Sequence, residues 1–125
     1  MPTWTMFDDS PHVVQTRTPD GRDLVFMTGT AGFSLKAPGQ AWLQETFYHL
    51  IGPAWRRIDS VAPAAALASI YNQHDQPVVA PGWAVDKCDW EVWRSRILLV
   101  VAVGVSGIDG YVYRFSYQAT GLGLI

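Results

Sequence analysis

Apolar and polar residues alternate along both ends of this chain, and the alternation predicts strands. His12 to Arg17 reads as one strand and Asp23 to Thr28 as its return. Pro19-Asp20-Gly21 lies between them, where proline presets a turn dihedral and glycine accepts positive φ. Gly29 and Gly32 bend or bulge the chain, with Phe33 to Lys36 a short continuation. Trp83 to Trp93 also alternates. Ala84, Asp86, Cys88, Trp90 and Val92 fall on one face, and Trp83, Val85, Lys87, Asp89, Glu91 and Trp93 on the other. Ile97 to Val105 is apolar on both faces, as a central covered strand would be. Asp109-Gly110 is a hairpin signal, with Tyr111 to Ala119 returning. In that hairpin Ala102, Gly104 and Ser106 would oppose Tyr113, Phe115 and Tyr117, small beside large. This face is expected to be the inside of the domain and to hold any pocket.

The period changes in the middle. Leu43, Phe47, Leu50 and Ile51 fall at i, i+4, i+7 and i+8, which predicts a helix over Gln40 to Ile51. A strand there would put Glu45 and His49 on the face of Leu43 and Phe47. Gly52-Pro53 supplies a stop. A second helix is expected from about Asp59 to Tyr71, with Asp59 or Ser60 as cap and Pro63 in the first turn. An apolar strand over Ala64 to Tyr71 competes with it. The expected fold is α+β, a curved antiparallel sheet packed against one or two helices. The alternative is an all-β barrel or sandwich with one short helix.

Length and composition narrow the classes. The chain of 125 residues fits one domain, 1–125, with residues 1–10 reading as an N-terminal arm. Only 16% of residues are charged and 49% are hydrophobic, which argues against disorder. The net charge is −2 and the basic residues are scattered, Arg56-Arg57 being the densest pair, so nucleic acid is not an expected partner. Cys88 is alone and can form no intramolecular disulfide. The first residues carry no signal-peptide pattern. Ile97 to Val105 is far short of the ~20 residues a membrane helix needs. No membrane partner and a cytoplasmic location are therefore expected.

Several residues are candidates for chemistry. Asp86 on an otherwise apolar face should be desolvated, which suits a general acid or base. The competing reading is an Asp at a strand bulge. Trp90, Tyr113, Phe115 and Tyr117 would line a pocket beside it, and Arg114 would bind an anionic group, pair with Asp86 or face solvent. Glu45 and His49 have a spacing that two metal ligands could use, but no further ligands complete a site, and a solvated helical pair is the expectation. His74 beside Asp75 reads as a plain turn. Gly104-Val105-Ser106-Gly107 lacks the spacing of a nucleophile elbow. Cys88 reads as a small buried hydrophobe. No nucleotide, calcium or zinc motif is present, so no cofactor is expected.

Tyr48-His49-Leu50-Ile51-Gly52-Pro53-Ala54-Trp55-Arg56-Arg57-Ile58, with Ile70 to Pro77 and Val85-Asp86, resembles one half of the GyrI-like effector-binding domains. The resemblance covers roughly Tyr48 to Cys88. It implies strand–helix–strand–strand units and a pocket for a small, often hydrophobic molecule. The C-terminal third lacks the second helix that the family requires.

The leading functional expectation is binding of a small hydrophobic molecule between sheet and helix. If catalytic, the chemistry would be cofactor-free isomerisation or cyclisation, with Asp86 as acid or base and Tyr113 or Arg114 stabilising charge. The alternative is a protein- or carbohydrate-interaction module, because Trp83 and Trp93 share a predicted face with charged residues. A structural subunit forming a homo-oligomer through its aromatics is a third reading.

Overall fold

The computed structural model describes residues 3–34, 43–71, 82–106 and 112–125. Among these residues eight strands follow in chain order: β1 (Thr3–Trp4), β2 (Phe7–Arg17), β3 (Asp23–Phe33), β4 (Leu43–Ile51), β5 (Arg57–Tyr71), β6 (Gly82–Trp93), β7 (Arg96–Ser106) and β8 (Val112–Leu124). They form two four-stranded sheets. The first has the order β1-β4-β7-β6 and the second β2-β3-β8-β5. All pairings are antiparallel except β1 with β4.

The fold is all-β, and the α+β expectation is overturned. Among the described residues there is no helix. Leu43 to Ile51, expected to be helical, is a strand of the first sheet paired with β7. Its β-formers Thr46, Phe47, Tyr48 and Ile51 suit a pleated, half-buried surface. Arg57 to Tyr71 is also a strand, paired among the described residues only with β8 at the edge of the second sheet. Pro63 is tolerated there because an edge strand leaves one side free of ladder bonds. The alanines fit because Ala65 stands opposite Tyr117 and leaves room for the ring.

The two sheets pack face to face. Inward from the first come Phe47, His49, Ile51, Ile97, Leu99, Val101, Val103 and Val105, all buried. Inward from the second come Val25, Met27, Ala31, Phe33, Tyr113, Phe115, Tyr117 and Ala119. Phe33 and Phe47 meet across the layers, ring centroids 4.5 Å apart. Trp55 packs over Gly121, where a Cβ would meet its ring at 2.9 Å.

The first hairpin stands as expected, with Arg17 opposite Asp23. The expected last hairpin does not. The pair Asp109-Gly110 lies outside the described residues, but β7 pairs with β4 and β6, and β8 with β3 and β5. The connection therefore crosses between sheets. The aromatic row of β8 is inside the domain, but across the layers it faces the side of β7 that carries Leu99, Val101 and Val103, not the side of Ala102 and Gly104. β7 is apolar on both sides because one packs on the second sheet and the other is also covered, Leu98 being 2% exposed.

Candidate functional site

Residues 3–9 tie the two sheets together. β1 adds to β4, with Trp4 opposite Tyr48, and the Thr5 amide donates to the Tyr48 carbonyl at 3.0 Å. One residue later the Met6 amide donates to Gly32 of the second sheet at 2.7 Å. The chain then continues as β2.

The inner side of this crossing carries a polar cluster. His49 is 3% exposed. Its Nε2 lies 3.0 Å from Asp8 Oδ2, and its Nδ1 lies 2.6 Å from Thr5 Oγ1. Tyr117 donates its hydroxyl to the same Asp8 oxygen at 2.6 Å. Burial, with the Asp8 carboxylate adding to it, holds the Tyr117 hydroxyl far above the ordinary tyrosine value, so it stays protonated. Burial pushes His49 below the usual histidine value, with Asp8 pulling the other way. The neutral imidazole must then carry its proton on Nε2, because a carboxylate only accepts. Nδ1 is left as acceptor, and Thr5 donates to it. Two donors, His49 and Tyr117, meet on one carboxylate oxygen of Asp8, and Thr5 donates to His49 behind them.

Gly29 makes this geometry possible. It stands opposite Tyr117 in the β3–β8 ladder. A Cβ there would lie 2.5 Å from the Tyr117 hydroxyl and 2.6 Å from Asp8 Oδ1. Hydroxyl, imidazole and carboxylate follow in the order of an activated nucleophile. The imidazole is enclosed, with His49 buried between the layers. The cluster is a clamp on the N-terminal crossing.

The outer side of the same crossing carries aromatics. Trp4 contacts Tyr48 edge-on at 5.6 Å and Trp93 at 5.2 Å, each with rings inclined at 65°. The Arg94 guanidinium lies over the Trp93 ring at 4.4 Å. Arg94 and Ser95 form the two-residue turn between β6 and β7, with φ of 49° and 64°. Such turns demand positive φ at both positions and favour Asn-Gly, so Arg-Ser is a costly choice for the backbone. Trp4 remains 45% exposed. Lys87, Asp89 and Glu91 share the Trp93 face by alternation after the β6 irregularity.

The residues singled out from the sequence are dispersed. Asp86 is exposed and sits at the register shift between Val85 and Lys87. The extra residue shifts the faces, so Val85 now joins Cys88 and Trp90 against the core. The apolar face expected for Asp86 is thus broken at Asp86 itself. Trp83 pairs in register with Val105. Tyr113, Phe115 and Tyr117 are buried between the layers, and Trp90 packs against the core. Arg114 lies on the opposite side of β8, 3.3 Å from Asp9 and over the Phe7 ring at 5.3 Å. Asp86 and Arg114 belong to different sheets and are not brought together. Glu45 and His49 are not a solvated helical pair. Both stand on one face of a strand; His49 is buried, while Glu45 is half-buried and accepts from the exposed Thr3 at 2.7 Å. Burial, with Asp89, raises the Cys88 thiol above its usual value. His74 and Asp75 lie outside the described residues. The clamp partners Thr5 and Asp8 had no sequence signal, being more than 40 positions from His49.

Tyr113, Phe115 and Tyr117, expected to line a pocket, belong to the buried core between the layers. Two depressions lie along β3, β5 and β8 of the second sheet. One, of ≈ 370 Å³, is lined by Thr28, Ala64, Ala65, Ala66, Ser116, Tyr117 and Gln118. Among the described residues no helix is long and apolar enough to cross a membrane.

No protein-family model, curated protein or solved structure matches this chain. The resemblance to the effector-binding domains gains no support from these comparisons. The strands that replace both expected helices remove the fold it implied.

Proposed function

We propose that this domain is a non-enzymatic interaction module that binds a protein partner through Trp4, Tyr48, Trp93 and Arg94. The observation that carries the reading is Arg94. A long cation is held over an indole by a turn whose backbone would favour glycine. Backbone conformations of that kind persist where the surroundings over-determine them, and they cluster at functional sites. Trp, Tyr and Arg are also the residues that dominate binding energy at protein interfaces. The inclined rings favour a protein over a sugar, because no two of them form one flat platform. Lys87, Asp89 and Glu91 supply a charged rim. The clamp on Thr5 and Asp8 fixes the segment that presents Trp4. The groove beside Ala64 to Ala66 has a ligand's volume, but its lining holds no charged group to orient a ligand.

The test is quantitative binding. A partner is identified by crosslinking to the wild-type domain, then purified and titrated against wild type, Trp4→Ala and Trp93→Ala. Each substitution should weaken binding at least about tenfold, the scale of an interface hot spot. Equal affinity in all three proteins overturns the proposal, as does a panel in which only oligosaccharides bind.

A further inference from the structure

The outer face of the second sheet carries a groove, and the geometry points to it as a binding site for a neutral oligosaccharide. The site is separate from the face of Trp4 and Trp93, which belongs to the first sheet. The two depressions, of ≈ 370 and ≈ 390 Å³, share Thr28, Ala64 and Gln118 and so adjoin. They run along β8, the strand between β3 and β5.

Cross-strand pairing builds the groove in rows. Gln118 of β8 stands between Thr28 of β3 and Ala64 of β5. Thr120 stands likewise between Phe26 and Ala62, and Ser116 between Thr30 and Ala66. These rows face away from the core, because the alternating neighbours Tyr117 and Ala119 are buried in it. The alanine methyls of β5 leave space that longer side chains would fill. From Ser116 to Thr120 the floor spans about 14 Å, room for more than one sugar ring.

The lining selects the ligand. No Asp, Glu, Lys or Arg lines either depression, and Arg114, the next outward residue of β8, is engaged by Asp9 at 3.3 Å. An ionic ligand finds no counter-charge, so orientation falls to hydroxyls and an amide. A wholly apolar ligand would strip water from those groups and replace none of their hydrogen bonds. An extended peptide would need main-chain partners, and the backbone of β8 is engaged by β3 and β5 on both sides. A pyranose is neutral, rich in hydroxyls, and has an apolar C–H face. Thr28, Gln118 and Thr120 make no side-chain hydrogen bond among the described residues, which leaves them for ring hydroxyls. Gln118 offers both a donor and an acceptor. Phe26 lines the second depression and is 45% exposed, so it supplies a ring on which the C–H face packs.

Nuclear magnetic resonance titration of the intact, isotope-labelled chain tests this. The probes are neutral hexasaccharides of glucose, mannose, xylose, galactose and N-acetylglucosamine. Hexagalacturonate is the acidic control and an uncharged polar hexapeptide the peptide control. At least one neutral hexasaccharide should shift the amides of Phe26, Thr28 and Gln118, with a dissociation constant below about 1 mM. Phe26→Ala and Gln118→Ala should each raise that constant at least about tenfold. Ala64→Arg fills the groove from an exposed position and should do the same, which keeps the test open should Phe26→Ala fail to fold. Trp93→Ala should leave the constant unchanged, which separates this groove from the aromatic face of the first sheet. The inference is overturned when no neutral hexasaccharide shifts those amides at about 10 mM, or when hexagalacturonate or the peptide shifts them as strongly. Unchanged affinity in both Gln118→Ala and Ala64→Arg overturns it as well.

Discussion

Asp8 and Tyr117 lie 109 positions apart and meet at 2.6 Å, the tyrosine hydroxyl donating to Oδ2. His49 donates to the same oxygen. Asp8 is therefore the hub of the clamp, and the two donors depend on it. Tyr117→Phe removes one donor and should cost about 1 kcal/mol, the net worth of one bond. Asp8→Ala strands two donors and should cost about 3 kcal/mol, since unmet buried groups carry their full desolvation penalty. Urea unfolding of the three proteins checks the order. Equal costs would show that Asp8 does not hold the cluster together.

His49 gives stability a pH dependence of known sign. Burial holds its folded value below the ordinary 6.5. As pH falls through 6.5 the unfolded chain takes up the proton first, so unfolding is favoured. The contribution is complete above 6.5 and is lost as pH falls toward the folded value. Between about pH 7.5 and about pH 5.5, wild type should lose more stability than His49→Gln. Parallel curves for the two proteins would remove His49 from the account.

Gly29 is required by crowding and not by backbone angle. Gly29→Ala would drive a methyl into the Tyr117 hydroxyl and Asp8. A loss of about 1–3 kcal/mol is expected, typical of overpacking. Gly29→Ala combined with Tyr117→Phe should lose less than the sum of the two, because removing the hydroxyl relieves part of the clash. Additive losses in thermal melting would contradict that coupling.

The Arg94-Ser95 turn sets binding against stability. Replacing it with Asn-Gly suits positive φ at both positions and should raise stability by about 1 kcal/mol. The same change removes the guanidinium from Trp93 and should weaken partner binding. Melting temperature and a binding titration read the two effects separately. A more stable domain with unchanged affinity would free Arg94 of any role in recognition.

The strand alternation was legible wherever one face is buried and the partner strand is near in sequence. The β2–β3 hairpin shows this, with its proline–glycine turn and an inner face of Val25 and Met27. The middle of the chain was not legible, and His49 explains why. A strand over Leu43 to Ile51 puts Glu45 and His49 inward, which looked like an error of burial. In the folded chain Thr3 answers Glu45, and Thr5 and Asp8 answer His49. Those partners come from the other end of a long-range pairing, which local periodicity does not encode. Asp86 misled for a related reason. One extra residue at its own position shifts the faces of β6, and a bulge leaves no mark in an alternating pattern.

The sequence by itself determined a β-rich N-terminal hairpin, a covered central strand from Ile97 to Val105 and an aromatic row destined for the interior. Those follow from side-chain period and hydrophobicity, which act locally. Only the tertiary structure decided that β7 and β8 lie in different sheets, that the middle segments are strands, and that Thr5, Asp8, His49 and Tyr117 converge. Those depend on which distant backbone satisfies which polar group, and that is settled when the two sheets close on each other.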